Sequence, residues 1–313
     1  MKWFKRIFIG LVGLYLLALA LDMFISRSFL KSNLFEGELN TWDEIYNGDE
    51  TFDLVIYGSS RSYVHINPSI LDENLNINSY NFGFNGQKIS LQKVRHDEFL
   101  KQKHLPNNVI INLDIVSLLD SDIYNPEQFI PLLFYNYNFY ELVKNDLKLN
   151  VLDVYIPLIR YRLFKYKNVD MFRELYRIYF YSNYSNYTRN KGYTGQNYKY
   201  TDSKLINEKI VISENKKEDL IAIINDLNKL GINVILINSP EYIYQINSQD
   251  NRNEIIDLYK SIANKYNIPF IDYSGDSINY RKELFYNSNH LNAKGADVFT
   301  KKLAQDIKPY LKY

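Results

Sequence analysis

Four short clusters carry most of the side chains that could do chemistry in this chain. They are Gly58-Ser59-Ser60-Arg61-Ser62, Asn81-Phe82-Gly83-Phe84-Asn85-Gly86, Asn112-Leu113-Asp114 and Asn287-Ser288-Asn289-His290-Leu291-Asn292. A serine hydroxyl becomes a useful nucleophile only when a neighbouring base accepts its proton. A cluster holding Ser60 and another holding His290 supply that pair of residue types. Cysteine is absent, which excludes a thiolate nucleophile, thiolate metal sites and disulfides. Of the four histidines, His65, His96 and His104 lie in none of these clusters and read as ordinary surface or packing residues. A plainer reading competes at each position. Gly58, Gly86 and Gly295 suit turns, and Asn289 and Asn292 suit helix caps. Gly295 and Asn292 are better read that way.

Each cluster follows a short apolar run. Asp53–Ser60, Ile77–Phe84, Asn108–Asp114, Ile232–Ser239 and Ile268–Tyr273 read as buried strands that open into turn residues. Helical spacing lies between them. Lys216–Leu230 puts Leu220, Ile223, Ile224 and Leu227 on one face, with Gly231 as the stop. Glu254–Tyr266 and Lys294–Leu311 repeat that spacing. Strands alternating with helices predict a parallel sheet covered on both faces, a three-layer α/β/α sandwich. Such sheets place function at the carboxyl ends of their strands, where the four clusters fall. Ser239-Pro240-Glu241-Tyr242, after the fourth strand, could line the same pocket or simply end that strand.

The alternation fails between about 120 and 210, a stretch rich in Tyr, Phe and Asn. Val169–Tyr179 is helical there, and Asn183–Gln196 is rich in turn residues. An insertion of this size beside a parallel sheet often becomes a cap or lid. Two matches to the N-glycosylation pattern begin at Asn183 and Asn186, and we read them as chance.

Length and composition bound the rest. The 313 residues suit one large domain with an insertion, and 46% hydrophobic against 23% charged side chains is globular composition. The net charge of +1 is set near the start: without Lys2, Lys5 and Arg6 the chain has 34 basic and 36 acidic side chains. No basic bias draws the folded part to nucleic acid, and no Cys/His cluster suggests a metal module or any other cofactor. The 29 tyrosines and many asparagines fit codon bias better than function, although sugar-binding surfaces also favour tyrosine.

Lys2, Lys5 and Arg6 lead into the uncharged stretch Ile7–Leu21, which Met23–Ile25 extends beyond Asp22. Counted to Ile25 at 1.5 Å per residue, this nearly matches a hydrocarbon core of about 30 Å. Asp22 is expected near the outer interface, within reach of water. The basic start favours a cytoplasmic N-terminus and an exported remainder. Ala18-Leu19-Ala20 resembles a signal-peptidase site, so a cleaved signal peptide is the competing reading; a buried core helix is another. The expected organisation is an anchor over 1–25, a connecting segment with a short helix over 26–50, and a catalytic domain over 51–313 with the insertion at about 120–210.

Taken in order, the clusters resemble the SGNH (GDSL-type) hydrolase superfamily over about residues 53–310. The likeness is strongest in Gly58–Ser62 and in Asn287–Gly295. It implies a flavodoxin-like five-stranded fold, Ser60 as nucleophile, His290 as its base, and an oxyanion hole made by the backbone N–H groups of Ser60 and Gly86. The family's third oxyanion donor is an Asn after the third strand, and that place falls on Asp114 here, with Asn112 nearby but less well spaced. Ser59 stands where the family has Asp. Asn287 stands where the family's triad Asp should be, three residues before His290. Three outcomes follow: a Ser-His dyad oriented by Asn287, rescue by another carboxylate such as Asp272, or a degenerate site. An apolar start joined to such a domain resembles the subset that includes D-alanyl-transfer proteins of teichoic acid synthesis and polysaccharide O-acetyltransferases. That resemblance implies an extracytoplasmic serine esterase or O-acyltransferase acting on cell-surface glycan, beside a membrane-bound O-acyltransferase as partner. The other reading is a non-catalytic binding or assembly protein that keeps the fold.

Overall fold

The computed structural model describes residues 2–86, 89–120, 123–181, 189–202 and 209–313. The two asparagines of the glycosylation pattern lie outside these residues. The chain divides into two compact units, one of residues 1–48 with 122–188 and one of 49–121 with 189–313.

Strands are numbered along the chain: β1 (Leu54–Gly58), β2 (Ser79–Asn81), β3 (Asn108–Asn112), β4 (Lys165–Tyr166), β5 (Val169–Asp170), β6 (Asn233–Asn238) and β7 (Phe270–Asp272). In the second unit five of them form one parallel sheet in the order β2-β1-β3-β6-β7. This is the expected flavodoxin-like order, and helices flank the sheet. Every residue of β1 and β3 is buried, as expected of strands covered on both faces. The registers bring Gly58 of β1 opposite Asn112 of β3, so both strands end at the same height. The order reverses at β1, which opens a crevice beyond its carboxyl end. Ser60 stands at that end.

The helices follow from their apolar spacing. Glu214–Lys229 buries Leu220, Ile223, Ile224 and Leu227 completely. Each such burial contributes roughly 1.5–3 kcal/mol. Gly231 follows with φ +73°, the left-handed turn expected of it. Arg252–Tyr266 and Ala293–Ile307 form the other two expected helices. Asn292 caps the last, its Oδ1 accepting from Gly295 N at 2.9 Å. Gly295 is more than a turn residue: a Cβ there would stand 2.0 Å from the carbonyl oxygen of Leu284.

The first unit gathers residues that the sequence suggested were separate. The apolar start is a helix, Lys2–Phe29, and among the described residues it is the one long and apolar enough to cross a membrane. Of residues 26–50, read from sequence as a connector, 26–48 belong to this unit and are packed. Leu39, Trp42 and Ile45 of the helix Glu38–Asn47 are buried, and the Trp42 ring meets Phe139 edge-on at 5.2 Å. β4 and β5 pair as a short antiparallel hairpin before the helix Met171–Phe180. Asp22 corrects an expectation. Its carboxylate does not reach water: it is buried, pairs with Arg160, and accepts from Leu158 N at 2.7 Å and from Ser26 Oγ at 3.2 Å. A buried carboxylate keeps its charge only with partners of this kind.

Candidate active site

The turn after β1 is built around one glycine. Gly58 has φ +144°, and a Cβ there would stand 2.0 Å from Ser62 Oγ and 2.7 Å from the Asn112 carbonyl oxygen. Only glycine fits. The chain then enters the helix Ser60–His65, with Ser59 as its cap accepting from Arg61 N. Ser60 is thereby the first helical residue, and its N–H has no partner among the described residues.

Ser60 Oγ lies 2.9 Å from His290 Nε2, although 230 positions separate them. On the far side of the ring, His290 Nδ1 lies 3.0 Å from Asn287 Oδ1. That oxygen also accepts from the backbone N–H groups of Asn289 and His290, each at 2.9 Å. Those two backbone donors fix which amide atom faces the ring, because an NH2 group turned toward them would have nothing to accept it. With oxygen presented, His290 Nδ1 must carry the proton and Nε2 is left to accept from Ser60. This is the tautomer a general base needs. Asp272, the carboxylate that might have substituted, is held by Ser274 N at 3.0 Å and Ser274 Oγ at 2.7 Å.

A cavity of about 90 Å3 opens beside Ser60 and His290, lined also by Arg61, Asp114, Ile115, Val116, Glu241, Gln249 and Asn289. The strand ends after β1, β3 and β6 thus supply its walls, and Glu241 takes the pocket-lining role. Asn289, whose sequence position suggested a cap, lies in this wall instead. Gly86 is not among the lining residues; it sits exposed beyond β2 with φ +68°.

Asp114 is not placed to donate to an oxyanion. Its carboxylate accepts from Ser59 Oγ and lies 3.2 Å from Arg61 Nη1, so it is a paired anion. Its backbone N–H is spent on Ser117 Oγ at 2.8 Å. Two of the three positions where the sequence departs from the SGNH pattern, 59 and 114, are therefore hydrogen-bonded to each other. Asn112 is also engaged: its side chain donates to Ser239 Oγ and accepts from Ser239 N, both at 3.1 Å, tying β3 to β6.

Sequence reasoning missed the ionic floor of the cavity. Arg61 lies 3.5 Å from Glu241, which also pairs with Arg252. With Asp114 this makes two cations and two anions, all buried. Arg252 further donates to Gln249 Oε1 at 2.6 Å, and Arg61 to the Ser239 carbonyl. Burial alone would raise the Glu241 carboxyl, but Arg61 and Arg252 together carry it below its ordinary value. Burial of the ring, then the Arg61 charge, push His290 down from 6.5 to about 4, with Glu241 pulling the other way. His290 is neutral at pH 7, as a base must be.

His65 was also underestimated. It is fully buried, its Nε2 accepts from Leu291 N at 3.0 Å, and its Nδ1 faces Ser239 Oγ at 3.1 Å. It pins the loop that carries His290 to the end of β6. Burial first, then Arg61 and His290, hold its pKa well below the usual value.

No family model and no curated protein matches the sequence. Among solved structures the chain is similar to a GDSL-like lipase from Bacteroides thetaiotaomicron, at 12% identity and TM-score 0.37, over 81% of this chain and 87% of that one. It is also similar to a catalytic mutant of an acetylxylan esterase from Geobacillus stearothermophilus, at 15% identity and TM-score 0.38, over 84% of this chain and 94% of that one.

Proposed function

We propose that this chain is a membrane-anchored serine esterase or O-acyltransferase whose site works outside the cytoplasm through an acyl-enzyme on Ser60. One observation carries the reading: the hydrogen-bonded chain Ser60 Oγ, His290 and Asn287 Oδ1, with the amide oxygen fixed by two backbone donors. In this scheme His290 Nε2 takes the hydroxyl proton as Ser60 Oγ attacks an ester carbonyl. The free N–H of Ser60 is one donor to the oxyanion that forms; Gly86, which the family resemblance would make the second, lies outside the cavity lining. His290 passes the proton to the departing alkoxide. Water or a sugar hydroxyl then takes the acyl group by the reverse steps, with His290 as base again. Asn287 orients the ring without a charge of its own, and Glu241 supplies the nearby negative potential for the imidazolium.

The basic residues before the apolar helix support an N-terminus in the cytoplasm and a site on the other side. The packing of Asp22 and Phe29 into the first unit supports a retained anchor over a cleaved signal. The glycan acceptor and a membrane-bound O-acyltransferase as partner rest on the family resemblance. The test is hydrolysis of p-nitrophenyl acetate by the full chain in lipid discs, with Ser60→Ala and His290→Ala beside it. Both variants should fall to the background rate. A native chain that hydrolyses no faster than Ser60→Ala, both at the background rate, would turn the reading to a binding or assembly protein.

A further inference from the structure

The helix Met171–Phe180 is packed inside out. Its single buried residue is Glu174, which accepts from Ser32 Oγ and lies 3.6 Å from Arg177. Its opposite face presents Phe172, Tyr176 and Phe180 to the outside, with Phe172 75% and Phe180 74% exposed. A helix that hides a carboxylate and shows phenyl rings is built for a surrounding other than water. A second apolar surface follows the same rule. Over residues 151–156, Val151, Leu152, Tyr155 and Ile156 are exposed while Asp153 is turned inward onto Arg162.

Both surfaces adjoin the apolar helix Lys2–Phe29. Tyr15 Oη donates to the Tyr155 carbonyl at 3.2 Å. Tyr179 stacks on Phe24 at 5.8 Å, and its hydroxyl meets Ser28 Oγ at 2.6 Å. From Tyr15 to Phe24 the helix rises about 14 Å at 1.5 Å per residue. The segment 151–156 therefore lies deeper along the apolar run than Tyr179 does. A carbonyl at that depth needs a donor from the protein, and Tyr15 provides it. Beside Tyr179 a groove of about 320 Å3 is apolar at Ala20, Met23 and Phe24 and basic at Arg27 and Lys31. That order, tail-like then cationic, matches a lipid with an anionic headgroup.

We propose that this surface is seated in the membrane: residues 151–156 enter the acyl region of the outer leaflet, and the helix Met171–Phe180 lies among the headgroups. The inference rests on the reading of Lys2–Phe29 as a membrane-spanning helix. The occupant is the bilayer itself, because both surfaces are continuous with the apolar helix and the groove changes from apolar to basic in the outward direction. Tyr176 and Tyr179, rings with one wet end, favour that level.

The absence of cysteine permits a direct test. Single variants Leu14→Cys, Leu152→Cys, Phe180→Cys and Arg173→Cys of the full chain would carry an environment-sensitive fluorophore. Each would be placed, one copy per disc, in phosphatidylcholine–phosphatidylglycerol nanodiscs with nitroxide on acyl chains or on headgroups. Leu152 should lose most of its emission to acyl-chain nitroxide, and Phe180 to headgroup nitroxide. Arg173, whose side chain is 68% exposed on the helix's charged face, should lose less than Phe180 to headgroup nitroxide and almost nothing to acyl-chain nitroxide. Quenching at Leu14 alone would overturn the inference and leave the spanning helix intact. No quenching even at Leu14 would overturn the spanning reading and the inference with it. A blue shift at Phe180 that needs two copies per disc, without lipid quenching, would assign the face to self-association and overturn the proposal.

Discussion

Replacing Asn287 with Asp changes one atom and adds one charge at a known distance from the proposed base. The new carboxylate would keep the two backbone hydrogen bonds that now reach Asn287 Oδ1 and would lie about 3.0 Å from His290 Nδ1. Taking roughly 4 Å between charge centres and an effective dielectric of about 20, the attraction is about 4 kcal/mol. At 1.36 kcal/mol per unit this raises the imidazole by about 3 units. His290 would move from about 4 to roughly 7. Protonated His290 cannot accept from Ser60, so activity is lost as pH falls through its pKa. The assay is kcat/KM for p-nitrophenyl acetate from pH 4 to 9. The native chain should hold a flat rate down to about pH 5 and lose half of it near pH 4. Asn287→Asp should reach a higher plateau above pH 8, by roughly 10- to 1,000-fold, since the tautomer is already correct and only the charge is gained. Its advantage should shrink about tenfold per pH unit below pH 7 and be gone between about pH 6, for a 10-fold gain, and about pH 4, for a 1,000-fold gain. Profiles with the same midpoint, or a lower plateau in a variant with unchanged thermal stability, would refute the reasoning.

Three further outcomes follow from packing and charge. Gly58→Ala should lower stability by about 3 kcal/mol or more, read as the urea midpoint, because a Cβ there collides with Ser62 and Asn112 in a strained backbone. Asp22→Ala strands the buried Arg160 charge and should cost roughly 3–5 kcal/mol, seen as a lower melting temperature in detergent. His65 and His96 are buried with pKa values held below 6.5, so the unfolded chain binds more protons between those values and 6.5. Stability should therefore fall as pH drops through that window, visible as a decreasing melting temperature from pH 7 to pH 4.

The parts legible in sequence were those fixed by local pattern. Val55-Ile56-Tyr57 before a glycine can hardly be anything but a buried strand opening into a turn, and the face of Leu220, Ile223, Ile224 and Leu227 defines its helix. Ser60 was legible because its block sits at the end of a strand, and His290 because its block leads into the last α-helix. The ionic floor was not, since Arg61 and Glu241 meet only after β1 and β6 are brought to one edge of the sheet. Asp114 was misplaced for a related reason: its role depends on Ser59, more than fifty positions away. Asp22 and Glu174 defeated the pattern outright, because each is a carboxylate buried by a tertiary partner on a segment whose neighbours are apolar. The packed nature of residues 26–48 was hidden similarly, as Trp42 is covered by Phe139, nearly a hundred positions away.

The central claim is that Ser60 is activated by His290. Its most direct measurement is mass-spectrometric mapping of the adduct left by a fluorophosphonate on the full chain in lipid discs. Modification of Ser60, abolished in His290→Ala while that variant keeps its melting temperature, is the predicted result. A Ser60 that stays unmodified at neutral pH, or one that reacts equally fast without His290, would contradict it.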